Sequence, residues 1–187
     1  LMLENASWRH VTEANGLPPD ITCAWEDSEG SLWLGTAGSG LARWAGRGHW
    51  ENWTQRDGLE AAYISAIAED SLHRAWIATS KNLAILTHNR IQQLRPGAVN
   101  ALASSQDSVW AASESEGLLH FDVKTLQPTH YPLPKHPIRR LAIDSQDNLW
   151  IAGVGILQLG TRNGARYNVT PISPPNPEPG ELHLDVA

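Results

Sequence analysis

Cysteine occurs once in this 187-residue chain, at Cys23. That excludes an internal disulfide and any metal site built from several cysteines. No apolar run approaches the roughly 20 residues that a membrane helix needs. Basic charge is scarce, with 14 Lys and Arg against 20 Asp and Glu, for a formal charge of −6. That balance speaks against a nucleic-acid partner, which would require a basic face. The eight histidines contain no short metal-binding spacing such as His-x₃-His. The Gly-rich segment 35–40, GTAGSG, lacks the Lys-Ser/Thr ending of a phosphate loop and reads as a hairpin loop. The opening residues LMLENASWRH have neither a basic stretch nor an apolar stretch of a signal peptide. The chain is therefore either not exported or read here without its signal.

Tryptophan, by contrast, occurs nine times, against one Phe and one Met, and four of the nine fall in a repeat. Residues 21–35 read ITCAWEDSEGSLWLG, 64–78 read ISAIAEDSLHRAWIA, 99–112 read VNALASSQDSVWAA and 138–152 read IRRLAIDSQDNLWIA. Their anchors, Trp33, Trp76, Trp110 and Trp150, lie 43, 34 and 40 residues apart. An irregular period near 40 matches a propeller blade of four strands and four loops. The sequence thus predicts an all-β chain with four four-stranded blades over 21–55, 64–94, 99–133 and 138–170. Each blade has a first strand beginning at Ile21, Ile64, Val99 or Ile138. A turn follows, and then a short apolar strand carries the Trp, which is expected in the core. A third strand starts at Gly40-Leu41, Asn82-Leu83, Gly117-Leu118 or Gly155-Ile156. Ile64 and Ile67 both read as buried although they sit three apart, which calls for a β-bulge. Residues 8–12 resemble the fourth-strand region near 53–59 and are expected to form an outermost strand. Residues 171–187 begin with a stretch in which five of ten residues are Pro, and read as a linker or the start of a further strand. Four blades are few for a closed ring. A piece of a larger ring is favoured, with a closed four-bladed ring or a two-chain assembly as alternatives.

Residues 26–44, EDSEGSLWLGTAGSGLARW, resemble the two-component regulator propeller repeat. Glu26, Asp27, Gly30, Leu32, Trp33, Gly35, Thr36, Gly40, Leu41 and Trp44 match its pattern, and Thr12, Gly16, Leu17 and Pro18 resemble its usual lead-in. The second unit has His73 in place of the turn Gly and Ala78 after the Trp. The third has Ser104-Ser105 in place of Glu-Asp. The resemblance covers roughly residues 8–170 and fades along the chain. It implies the periplasmic, ligand-binding sensor of a membrane-anchored signal-transduction receptor, whose output is a histidine kinase or diguanylate cyclase lying outside this chain. It implies a small-molecule ligand, in gut bacteria often an oligosaccharide. It implies no cofactor, no enzymatic activity and no membrane contact except through other domains.

The acidic pairs Glu26-Asp27 and Glu69-Asp70 have the residue types of glycosidase chemistry. Both, however, recur at one position of the repeat, ahead of a turn, where Asp caps backbone N–H groups. No catalytic or metal-binding set is nominated. In a propeller, the loops leading into each blade share a face with the loops between second and third strands, and that face usually carries binding. From those loops Asp20, Tyr63, Lys81, Glu114, Glu116 and His136 are the candidate ligand contacts. Arg139 and Arg140 open an inner strand and are candidates to line the channel. Trp25 is added because its slot holds Ala68, Ala103 and Ala142 in the other units. Two other readings stand beside the sensor: a protein–protein or homodimerisation scaffold, and a propeller lyase or glycosidase.

Overall fold

The computed structural model describes residues 2–4, 7–9, 11–46, 48–131, 137–153, 156–163 and 166–172. The described N-terminal residues form a two-stranded antiparallel sheet, β1 (Met2–Glu4) with β2 (Ser7–Arg9). The outer strand expected over 8–12 is thus shifted and has its own partner. Thr12 instead caps a single 3-10 turn, 13–15, which ends on Gly16 at φ 88°. The same device recurs at Thr54, residues 55–57 and Gly58, which explains the likeness of the two segments and removes Gln55 from the fourth strand. In both turns a short side chain, Asn15 or Asp57, reaches back to the Thr backbone N–H and hydroxyl.

Four antiparallel four-stranded sheets follow, each in simple chain order. Blade 1 holds β3 (Ile21–Glu26), β4 (Leu32–Thr36), β5 (Leu41–Trp44) and β6 (Trp50–Trp53). Blade 2 holds β7 (Ile64–Glu69), β8 (Ala75–Thr79), β9 (Leu83–Thr87) and β10 (Arg90–Leu94). Blade 3 holds β11 (Val99–Ser104), β12 (Ser108–Ser113), β13 (Gly117–Asp122) and β14 (Pro128–Tyr131). Blade 4 holds β15 (Ile138–Ile143), β16 (Leu149–Gly153), β17 (Ile156–Asn163) and β18 (Arg166–Pro171). Residues 132–136 and 173–187, where the rest of one fourth strand and a linker were expected, lie outside the described residues, as does Gly155.

The bulge inferred from Ile64 and Ile67 is present, and it is general. The pairing register slips between Ile21 and Cys23, Ile64 and Ala66, Val99 and Ala101, and Ile138 and Arg140. One residue of each inner strand is thereby left out of the ladder, so residues three apart share a face. Ile64 and Ile67 are accordingly both buried. Two of the skipped residues tie neighbouring blades together. Thr22 Oγ1 donates to the Ile64 carbonyl, and Ser65 Oγ donates to the Val99 carbonyl.

The core lies between blades, not within them. Trp33, Leu41 and Trp53 of blade 1 pack on Ile64, Ile67, Ile77 and Leu86 of blade 2. Trp76 and Leu83 meet Val99, Val109 and Phe121, and Trp110 and Leu118 meet Ile138, Leu149 and Ile151. The anchor Trp of each blade therefore faces the blade that follows. Trp33 is 7% exposed, and Trp76 and Trp110 are fully buried. Trp150, expected in the core with them, is 36% exposed, because no following blade lies against it among the described residues. Gly35 occupies the slot of Ala78 because a Cβ there would collide with Cys23 Sγ and Ile64.

Candidate functional site

The repeated aspartates are structural. Asp27 Oδ1 accepts the backbone N–H of Glu29 (3.0 Å) and Ser31 (2.7 Å), and Oδ2 accepts the Trp33 indole N–H at 2.8 Å. Asp70 does the same for Leu72, Arg74 and Trp76, the last at 2.7 Å. Asp144 does so for Gln146, Asn148 and Trp150, the last at 3.0 Å. One carboxylate thus closes the turn and fixes the rotamer of the anchor indole. In blade 3, where serines stand in its place, Ser105 and Ser108 close the turn, and Trp110 packs on His120 at 4.5 Å and Tyr131 at 5.1 Å.

A carboxylate that accepts several N–H bonds resists protonation. At Asp27, burial is the largest influence and pushes upward. The Trp33 and Ser31 hydrogen bonds and the Arg43 charge outweigh it and leave the group lowered. At Asp144 the Trp150 indole, followed by the Asn148 N–H groups, lowers the carboxyl to about 2. A lowered folded-state value means that the contribution of Asp144 is complete above its unfolded value, about 3.9. It is lost as pH falls from there toward 2. The Trp150 indole N–H resonance is therefore expected to titrate by NMR with a midpoint near pH 2. A midpoint close to that of an unperturbed Asp would show that the bond does not favour the charged form.

The loop face is organised by a second repeated contact. The backbone N–H of Ala37 donates to the Asp20 carbonyl (2.9 Å), that of Ser80 to Tyr63 (3.2 Å) and that of Glu114 to Ala98 (2.9 Å). In each case the loop entering a blade is tied to the loop between its second and third strands. Asp20, Tyr63, Lys81, Glu114 and Glu116 are thereby brought to one face, and all five are exposed, Tyr63 by 44%. Asp20 takes a left-handed backbone at φ 52°. Glu114 accepts a hydrogen bond from Asn100 Nδ2 at 3.2 Å, and Glu116 lies 3.5 Å from His130 Nε2. Arg139 and Arg140 open β15 at the same end and are exposed. The Arg140 charge reaches Cys23 on the inner strand of blade 1, although burial, the larger effect, raises the Cys23 thiol. His136 lies outside the described residues.

Trp25 does not join this group. It sits near the far end of β3, on the turn face, where it lines a cavity of about 380 Å³ between blades 1 and 2. Beside that cavity is a cluster that the sequence reading missed. Ser28 Oγ lies 3.0 Å from Glu69 Oε1 and 2.9 Å from His73 Nδ1, and His73 Nδ1 lies 3.1 Å from the same Glu69 oxygen. These are hydrolase residue types without hydrolase geometry. Both contacts fall on one imidazole nitrogen, so the ring cannot hold the carboxylate on one side and take the Ser proton on the other. The arrangement links blade 1 to blade 2. The available signal was His73 itself, which adopts φ 56° in the slot of Gly30. Among the described residues no group of three or more His, Cys, Asp and Glu could hold a metal ion.

No family model and no curated protein matches the sequence. Solved structures do match. The extracellular domain of a hybrid two-component system from B. thetaiotaomicron is 18% identical, with a TM-score of 0.66 over 84% of this chain and 22% of that one. Virginiamycin B lyase from Staphylococcus aureus is 15% identical, with a TM-score of 0.69 over 84% of this chain and 56% of that one. PorZ, a surface component of the type-IX secretion system of Porphyromonas gingivalis, is 18% identical, with a TM-score of 0.63 over 82% of this chain and 22% of that one. The chain thus spans about a fifth of the receptor domain. No helix among the described residues is long and apolar enough to cross a membrane. At these identities the likeness is one of fold, and the chain folds as four consecutive blades of a β-propeller.

Proposed function

We propose that this chain is the ligand-binding part of an extracytoplasmic sensor propeller in a signal-transduction receptor, and that it does not itself turn over its ligand. The output would be a histidine kinase or diguanylate cyclase elsewhere in the receptor, and the blades would form part of a larger ring. The observation that carries the reading is the loop face. Its repeated backbone ties hold the loops that carry Asp20, Tyr63, Lys81, Glu114 and Glu116, which are exposed on one face at the ends of the strands. A phenol, an ammonium and three carboxylates suit a small polyhydroxylated ligand such as an oligosaccharide. The likeness to extracellular domains of two-component systems supports the same reading.

The test is a thermal-shift and mass-spectrometric screen of the purified chain against a panel of neutral oligosaccharides. At least one should raise the melting temperature by saturable binding. Tyr63→Ala with Lys81→Ala should abolish the rise, and the sugar should be recovered intact. Cleaved or unsaturated products would replace this reading with a lyase or glycosidase, a possibility that the lyase neighbour keeps in view. No rise with any sugar would favour a docking or dimerisation scaffold.

A further inference from the structure

We propose that the cavity between blades 1 and 2, on the turn face, is a second ligand site, separate from the loop face, and that it takes a small organic cation with an apolar body.

The space arises from an exchange of large and small residues. At the position just before the anchor Trp, blades 1, 3 and 4 carry Leu32, Val109 and Leu149, where blade 2 carries Ala75. On the opposite wall, blade 1 carries Trp25 where the other blades carry alanine. Trp25 does not refill the volume that Ala75 leaves, and a cavity of about 380 Å³ remains. That lies within the range of small-molecule pockets, about 300–1,000 Å³.

Beside its charged residues, the cavity is lined by Trp25, Leu72, His88 and Asn89. Trp25 is partly exposed, and among the described residues its indole N–H has no hydrogen-bond partner. Leu72 stands at the cavity with 54% of its surface exposed. His88 and Asn89 line it from the tight hairpin between β9 and β10. They hold left-handed backbones at φ 45° and 62°.

Charge selects the ligand class. Asp27, Glu29 and Glu69 line the cavity against one cation, Arg43, so an anion is disfavoured. The protein already shows how a cation is held here. The Arg43 guanidinium lies 5.1 Å from the Trp33 ring centroid and 3.3 Å from Glu29. Glu29 itself remains 73% exposed. An ammonium over Trp25, facing Glu29, would repeat that pairing on the free indole.

The test uses choline and its neutral isostere 3,3-dimethyl-1-butanol, titrated into the purified chain by calorimetry. Choline should bind saturably and at least about tenfold more tightly than the isostere, as a desolvated cation–π contact requires. Trp25→Ala installs the residue of the other blades and should weaken choline binding by about tenfold or more. Ala75→Leu fills the cavity with the residue of blades 1 and 4 and should abolish binding without lowering the melting temperature. Equal affinity for the isostere, a preference for methyl glucoside, no saturation with choline, or unchanged binding in a folded Trp25→Ala variant would each overturn the proposal. The oligosaccharide response of the loop face should be the same in wild type and Trp25→Ala, so the two sites can fail independently.

Discussion

Trp76→Ala is expected to lower the stability of the chain by about 3–5 kcal/mol, and Trp150→Ala by about 1 kcal/mol. The two residues occupy the same slot, and each indole N–H bonds the turn Asp of its own blade. They differ in what lies beyond them. Trp76 is fully buried against blade 3 and packs on Phe121 at 5.4 Å between ring centroids, whereas Trp150 is 36% exposed. Removing Trp76 empties a volume that strands on both sides frame rigidly, so transfer and cavity costs add. Removing Trp150 exposes little that water does not already reach. Urea unfolding of both variants, compared at equal slope, reads the difference directly. Equal losses would mean that the Trp150 face is covered in solution and that the inter-blade account of the core is incomplete.

Asp70→Ala is expected to cost about 3–5 kcal/mol, as much as removing a large core side chain, because it strips one partner from a buried charged pair. Asp70 is fully buried. It holds the backbone N–H of Leu72 and Arg74, the Trp76 indole, and Arg74 Nε at 2.7 Å. Arg74 in turn donates to the Val123 carbonyl in the loop after β13, so the carboxylate also supports the contact of blade 2 with blade 3. Alanine leaves the Trp76 N–H without its acceptor and the Arg74 charge without its counterion. Asp70→Asn keeps one acceptor oxygen and should recover about half of the loss. The same unfolding experiment decides the matter. A loss below about 1 kcal/mol for Asp70→Ala would show that the turn closes without its carboxylate.

The blades were legible because their determinants are local and repeated. An Asp before a turn, a Trp six residues later and a Gly or Asn before the third strand are read within one unit. Even the bulge was visible, since Ile64 and Ile67 cannot both face inward on a regular strand. The role of Asp27 and Asp70 was legible for the same reason: a position that recurs in successive units serves the repeat. Trp150 shows where this reasoning stops. Its neighbours in sequence match those of Trp33, but its burial depends on what packs against its blade, which no local pattern encodes.

The candidate sites divide along the same line. Loop membership placed Asp20, Tyr63, Lys81, Glu114 and Glu116 on one face, because strand order alone determines at which end of a blade a loop emerges. Trp25 stood out by comparison with Ala68, Ala103 and Ala142, yet its surroundings come from Ala75 and Leu72, some fifty residues away in the next blade. The inter-blade cluster of Ser28, Glu69 and His73 was likewise invisible, because its members meet only when two sheets stack. The sequence by itself determined the strands, their turns and the face on which each loop lies, since these follow from backbone hydrogen bonding and side-chain alternation within about 40 residues. Only the tertiary structure decided which anchor Trp is buried, where a cavity opens and which side chains meet across blades. Those depend on the volumes and charges that one sheet presents to the next.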